Sequence, residues 1–295
     1  MDQRTKLLAN SIGKLLRRGA ERNIRRMLNK THDADVASVL EVLDTDGRIS
    51  VFQLIPDPER QANILSHLSK KYQMEIAHIF EISKLQQLLG FMDSDDAADL
   101  LGHLPDDLSQ QALSGLNREE LQEVEELMNY PEDSAGGLMS SEFLTIGESL
   151  TVRESIETIQ TMDEDLISFY IYVVSESKRL VGVLSLKQLL LSRPQDVLKD
   201  IMSMDVISVN ISTNQNEVAR VVEKYDFLSL PVIDDNNDLV GVITVDDVID
   251  VIREEAAEDI QAMGMGGAGL DESYVTHMKA LSLIHISEPT RRTPI

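Results

Sequence analysis

The 295-residue chain carries 27 Lys and Arg against 51 Asp and Glu, a net charge of −24, and no cysteine. Without thiols there are no disulfides, zinc–thiolate centres or cysteine nucleophiles. The acidic balance argues against a nucleic-acid partner, whose affinity rests on cations meeting phosphate, and favours cations or a basic surface. Hydrophobic residues make up 42%, enough for packed cores, and the length suggests about two domains.

In chain order, residues 1–30 read as one amphipathic helix, with Leu7, Leu8, Ile12, Leu15 and Leu16 at helical spacing. Its polar face is basic, through Lys14, Arg17, Arg18, Arg22, Arg25, Arg26 and Lys30. Such a face suits an anionic membrane surface; the plainer alternative is a packed terminal helix with a solvated cationic side.

From about 33 to 130 the text is helical and repetitive: Ala37, Leu40 and Leu43 are echoed by Ala62, Leu65 and Leu68, then by Ala98, Leu101 and Leu104. That spacing belongs to solenoids of short helices. In Asp93-Ser94-Asp95-Asp96, either of the first two residues is placed to cap the next helix. Pro131 to Gly137 marks a boundary, the Gly-Gly pair ending a helix near Tyr130.

Beyond it strands and helices alternate: helix 152–162, strands 169–174 and 180–184, and a helix from 186 to 191. A second set follows, with helix 217–224, strands 228–233 and 239–243, and helix 245–257. Leu180-Val181-Gly182-Val183-Leu184-Ser185 recurs as Leu239-Val240-Gly241-Val242-Ile243-Thr244, an offset of 239 − 180 = 59 residues. One unit is built twice, and two copies usually share a core and a cleft. The acidic run at 234–238 is a hairpin turn; it lacks the glycine and closing glutamate of an EF-hand loop. Residues 264–269 read as a glycine-rich linker, and 281–295, basic and Pro-bearing, as a foreign tail left by cloning or sequencing. The six histidines form no close ligand pair, and no stretch approaches ~18 consecutive apolar residues.

The two copies resemble a tandem pair of CBS domains, a Bateman module, over 171–190 and 230–251. With Asp133-Ser134-Ala135-Gly136-Gly137-Leu138-Met139 before them and Thr244-Val245-Asp246-Asp247-Val248-Ile249-Asp250 within them, the chain is similar to the cytosolic part of the MgtE family of magnesium channels or transporters. The resemblance implies an α plus α/β fold: a right-handed superhelix of short helices, then the CBS pair. It divides the chain into an N domain over 1–130, a first CBS domain with its lead-in over 131–199 and a second over 200–262. The start of a connecting plug helix falls at 263–280. It implies a homodimer through the CBS domains and a transmembrane pore outside this sequence. The full-length protein would lie in the inner or plasma membrane, with this part facing the cytoplasm. Mg2+ bound between acidic surfaces would close the pore.

The same resemblance places metal ligands. Asp95 and Asp247 match positions that jointly hold Mg2+ between N domain and CBS, with Asn63 where a third acid is usual and Asp99 as a spare carboxylate. Asp226, Asp250, Glu255, Glu258 and Asp259 match the cluster shared with the connecting helix. There Asn214 and Asn216 replace two acids and Glu223 adds one. The chemistry agrees, since Mg2+ keeps several waters and meets one or two carboxylates directly. A solvated acidic helix face remains the plainer reading of the run from Asp246.

CBS pairs also hold adenine nucleotides, through a Ser/Thr-x-x-Asp pattern present here as Thr244 to Asp247 and altered in the first copy as Ser185 to Gln188. Tyr170, Lys187 and Phe227, with Thr244, are the candidates for ATP, and a nucleotide-sensing module without a metal role is the alternative function. A carboxylate enzyme such as a glycosidase is disfavoured by 4% aromatics and no tryptophan, and no serine nucleophile elbow is present. The expectation is a regulatory region, not an enzyme.

Overall fold

A computed structural model gives the architecture, described here for residues 3–162 and 169–253. Residues up to Ile249 form one compact unit and those from Asp250 another.

The described helical region comprises α1 (Gln3–Leu16), α2 (Glu21–Leu28), α3 (Asp33–Val42), α4 (Thr45–Gln53), α5 (Pro58–Ser66), α6 (Lys70–Ala77), α7 (Ile82–Leu89), α8 (Ser94–His103), α9 (Asp106–Leu113) and α10 (Arg118–Leu127). α1, α3, α5, α7 and α9 pack in succession as one row, and α6, α8 and α10 as a second. Leu40, Phe52, Ile64, Leu65, Leu88 and Leu100 of this region are sealed from solvent. This is how short helices that bury only one face each reach a continuous core.

The single helix expected over 1–30 is two. Gly19 adopts φ +64°, and the chain turns back through Gly19 N–H to Leu16 O (2.9 Å) and Ala20 N–H to Leu15 O (3.0 Å). A left-handed glycine is a helix stop, and the unbroken basic face of the sequence hides it.

The Gly-Gly pair also behaves differently. α10 ends at Leu127, and both glycines lie inside a short helix, α11 (Ala135–Leu138). A Cβ on Gly136 would sit 2.7 Å from Tyr130 Cγ and 2.9 Å from Ile211 Cγ1. The pair allows close packing instead of breaking a helix.

The first copy holds β1 (Thr145–Gly147), α12 (Val152–Ile159), β2 (Tyr170–Val174), β3 (Leu180–Ser185) and α13 (Leu186–Leu191). After α14 (Leu198–Ile201), the second holds β4 (Val209–Asn210), α15 (Gln215–Tyr225), β5 (Ser229–Ile233), β6 (Leu239–Thr244) and a helix of which 245–253 is described. Each makes a three-stranded sheet, order β1-β2-β3 and β4-β5-β6, with the first pair parallel and the second antiparallel. The strands β1 and β4 escaped the sequence reading because three and two residues are too few to show alternation.

The lead-in segments are exchanged between the copies. Ser140, ahead of the first copy, pairs with Val242 of the second at 2.9 and 3.0 Å; Ser203, ahead of the second, pairs with Val183 of the first at 2.9 and 3.0 Å. The repeated glycines explain themselves here. A Cβ on Gly182 would strike the thioether of Met202, and one on Gly241 that of Met139. Tyr172 adds a link between the sheets, its hydroxyl 2.8 Å from Ser229 Oγ; burial pushes its pKa up to about 12. Among the described residues no helix is long and apolar enough to cross a membrane.

Candidate metal centre

The start of α8 is docked on the segment that leads into the first copy. Ser94 is buried, its Oγ 2.9 Å from Ser141 Oγ and its N–H donating to Glu142 Oε1 at 3.3 Å. Asp93 occupies the cap position, but its side chain makes no cap hydrogen bond. The expected capping role of Asp93 or Ser94 is therefore replaced by docking. Three and four residues on from Ser94, Ala97 and Ala98 are buried, which leaves Asp95 and Asp96 facing the seam.

From the other side comes Asp247, on the first turn of the helix that follows β6. Thr244 holds it there, donating from Oγ1 to Asp247 Oδ2 at 2.5 Å and from its N–H at 3.4 Å. That pair is the local N-terminal cap, so a capping bond fixes the carboxylate that meets the N-terminal region.

The seam is electrostatically strained. Asp95, Asp96 and Asp247 are each half-buried, and each carboxyl is pushed up to about 7. Burial is the largest cause in all three. Like charge adds to it: Asp96 and Asp93 on Asp95, Asp93, Asp247 and Asp99 on Asp96, and Asp95 and Asp246 on Asp247. A hydrogen bond from Ser66 offsets part of this at Asp96. Asp95 Oδ1 is buried without a hydrogen-bond partner. A buried acceptor left unpaired costs its full desolvation, and a cation with its waters would supply what the oxygen lacks. Among the described residues no group of three or more carboxylates and imidazoles converges as a ready ligand cage. The donor set fits Mg2+, which binds through one or two carboxylates and keeps several waters.

Of the expected ligands, the structure brings Asp95 and Asp247 together, with exposed Asp99 acting on Asp96. Asn63 is exposed on α5. Glu223 and Asp226 are exposed at the end of α15, where Asp226 takes a left-handed φ of 53° as the helix C-cap. Asn214 spends its oxygen on Asn216 N–H and its amide on Asp133, at 3.2 Å to the carbonyl, which makes it a structural cap and not a free ligand. Asn216 Oδ1 is buried without a partner. Asp250, in the C-terminal unit, is paired with Arg253 at 3.0 Å, both exposed. Glu255, Glu258 and Asp259 lie outside the described residues. Asp96 was missed as a site residue. Its only signal is the run Asp93-Ser94-Asp95-Asp96, which local reasoning assigns to capping.

The nucleotide candidates divide. Tyr170 and Lys187, with Ser185 and Leu228, line a groove of about 570 Å³. Phe227 instead stacks on Tyr225, ring centres 5.5 Å apart, and the Thr244 hydroxyl is committed to Asp247. Ser185 and Gln188 form the equivalent capping box, with Ser185 Oγ donating to Gln188 Oε1 at 2.9 Å.

Comparison with known proteins fits this architecture. The family model described as the MgtE intracellular N domain matches residues 31–133, and the CBS domain model matches 135–193 and 198–254. The crystal structure of the cytosolic domain of the Mg2+ channel MgtE in complex with ATP superposes with a TM-score of 0.77 at 37% identity, over 82% of this chain and 99% of that one. The chain belongs to the MgtE family. A second structure, the soluble part of a magnesium transporter, gives a TM-score of 0.73 at 30% identity, over 85% of this chain and 99% of that one. Magnesium transporter MgtE of Bacillus subtilis is 35% identical over 90% of this chain, and that of Thermus thermophilus 38% over 87%. The chain spans 60% and 58% of the length of those two relatives. The fold is therefore that of an MgtE N domain followed by a CBS pair.

Proposed function

We propose that this chain senses Mg2+ for a magnesium channel or transporter, and that the ion binds at the seam between the MgtE N domain and the second CBS copy. The observation that carries this is the buried, unpartnered Asp95 Oδ1 beside Asp247, two like charges from parts of the chain 247 − 95 = 152 residues apart. Without a cation these carboxylates repel and favour separation of the two domains. With one they are neutralised, and the compact arrangement gains by the ion's differential affinity for it. Asp95 and Asp247 would hold the ion, Asp96 and Asp99 would add to the attracting field, and water would complete the shell. Glu223, Asp226, Asp250, Glu255, Glu258 and Asp259 we assign to a second acidic surface toward a connecting helix. In the full-length protein, a membrane protein with this part on the cytoplasmic side, the compact state closes the pore. The chain acts as a homodimer through its CBS domains, and it is not an enzyme.

The domain limits go with this reading: N domain to 130, CBS copies over 131–199 and 200–262, and a connecting segment beyond. The test is thermal melting in EDTA against millimolar Mg2+. A ligand of the folded state must raise the melting temperature by mass action. Asp95→Asn and Asp247→Asn should each remove the rise, and a wild-type chain with no rise refutes the proposal.

Adenine nucleotide is a second reading with its own observation: Tyr170 and Lys187 share a groove, and a similar cytosolic domain was solved with ATP. Titration with ATP, expected to weaken in Lys187→Ala and Tyr170→Ala, decides it.

A further inference from the structure

The seam does not use the most cationic part of the chain. Residues 3–30 carry nine Lys and Arg against one acid, Glu21, a balance of 9 − 1 = +8 that leaves −24 − 8 = −32 on the rest. All nine cations are exposed, and none is in a salt bridge with a described residue. In a chain with 51 acids, that segregation is a feature of the fold. α1 buries Thr5, Ala9 and Ile12, so Leu7 and Lys14, seven apart, share the opposite face. α2 buries Ile24 and Leu28 and turns Arg22 and Arg26 outward, stacked one turn apart. The two helices pack on each other, and Arg18 lies in the turn that joins them. Leu7 is 68% exposed on this cationic side.

We propose that the outward face of α1 and α2 docks on an anionic lipid surface. Cations facing an anionic leaflet, with an exposed leucine to enter the headgroup boundary, are the composition of an interfacial helix. The exposed leucine favours lipid over a nucleic-acid backbone, which offers nothing apolar to it. The strongly negative remainder is repelled by the same surface, so the contact also sets the chain's orientation. The proposal rests on the reading of this chain as the extramembrane part of a transporter.

The test is co-sedimentation of the whole chain with phosphatidylcholine vesicles, with and without phosphatidylglycerol, in EDTA so that no divalent ion bridges acids to lipid. Binding is expected only to the anionic vesicles, fading with added salt. The variant carrying Lys14→Glu, Arg18→Glu, Arg22→Glu and Arg26→Glu should partition at least about a hundredfold less. Leu7→Ser should weaken binding with all charges intact. All five positions are exposed, and an unchanged melting curve shows that the variants fold. Equal binding to neutral vesicles, or wild-type binding by the charge-reversed variant, overturns the proposal. So does absence of vesicle binding with loss of self-association in that variant, which assigns the face to a second copy. A missing Mg2+ response in melting removes the sensor reading and leaves vesicle binding untouched, so the two failures are distinguishable.

Discussion

The two CBS copies have the same strands, the same exchanged lead-ins and the same capping turn, yet they differ in charge where the turn meets the next helix. In the first copy the capping residue is Gln188, neutral and bonded to Ser185. In the second it is Asp247, bonded to Thr244 in the same way but held against Asp95 and Asp96. A capping box accepts glutamine and a carboxylate alike, so the fold tolerates either. The difference teaches that the local hydrogen bond is scaffold and the choice of acid is free for another use, here a charge buried opposite other charges.

The largest expected effect tests what the copies share. Gly241→Ala should cost about 1–3 kcal/mol by overpacking, because a Cβ there meets Met139 as far back as its own Cβ at 2.9 Å. Gly182→Ala should cost less, since its nearest obstacles are the outer atoms of Met202, with Cε at 3.1 Å. Denaturant melts of both variants measure the gap, and equal costs would mean the lead-ins are interchangeable.

Next comes the charge difference. Asp247→Asn should raise the metal-free melting temperature by several degrees, at about 2–4 °C per kcal/mol, and abolish the rise with Mg2+. A lower metal-free melting temperature would show that the carboxylate is a net stabiliser and not a strained group.

A smaller effect is the pH slope. Asp247 rises from 3.8 to about 7 on folding, so the folded chain binds more protons than the unfolded one between those values. Stability is then fully present at the acid end and is lost as pH rises from about 4 to 7. His103, lowered by burial, contributes the opposite slope near its ordinary range. The wild type minus Asp247→Asn difference in EDTA cancels His103 and leaves Asp247 together with its coupling to Asp95 and Asp96. That difference should widen toward neutral pH and close in saturating Mg2+.

The smallest effect is the symmetrising change. Gln188→Glu keeps the capping box of the first copy but meets no cluster like that around Asp95. It should alter neither the Mg2+ response nor stability by more than about 0.5 kcal/mol. A gained Mg2+ response would mean that an acid at this turn suffices, without the N domain.

Much of this was legible in the chain. The 59-residue offset, the hairpin around 234–238 and the repeat of short helices all follow from periods and turn residues that act over a few positions. Asp95 and Asp247 came from a family resemblance, not from spacing. Asp96 did not come at all, because an aspartate run before a helix has a sufficient local explanation. Gly19 was passed over for the same kind of reason: the basic stripe continues across it, and a left-handed turn leaves no mark in hydrophobic spacing.

The sequence by itself determined the helical character of the first part and the doubled strand unit of the second, since these rest on hydrogen bonds and apolar stripes between near neighbours along the chain. Only the tertiary structure decided that each lead-in lies on the other copy, that Gly182 and Gly241 are there for Met202 and Met139, and that Asp95, Asp96 and Asp247 share one half-buried seam. Desolvation and like-charge repulsion depend on distance through space, and folding sets that distance for residues far apart in sequence.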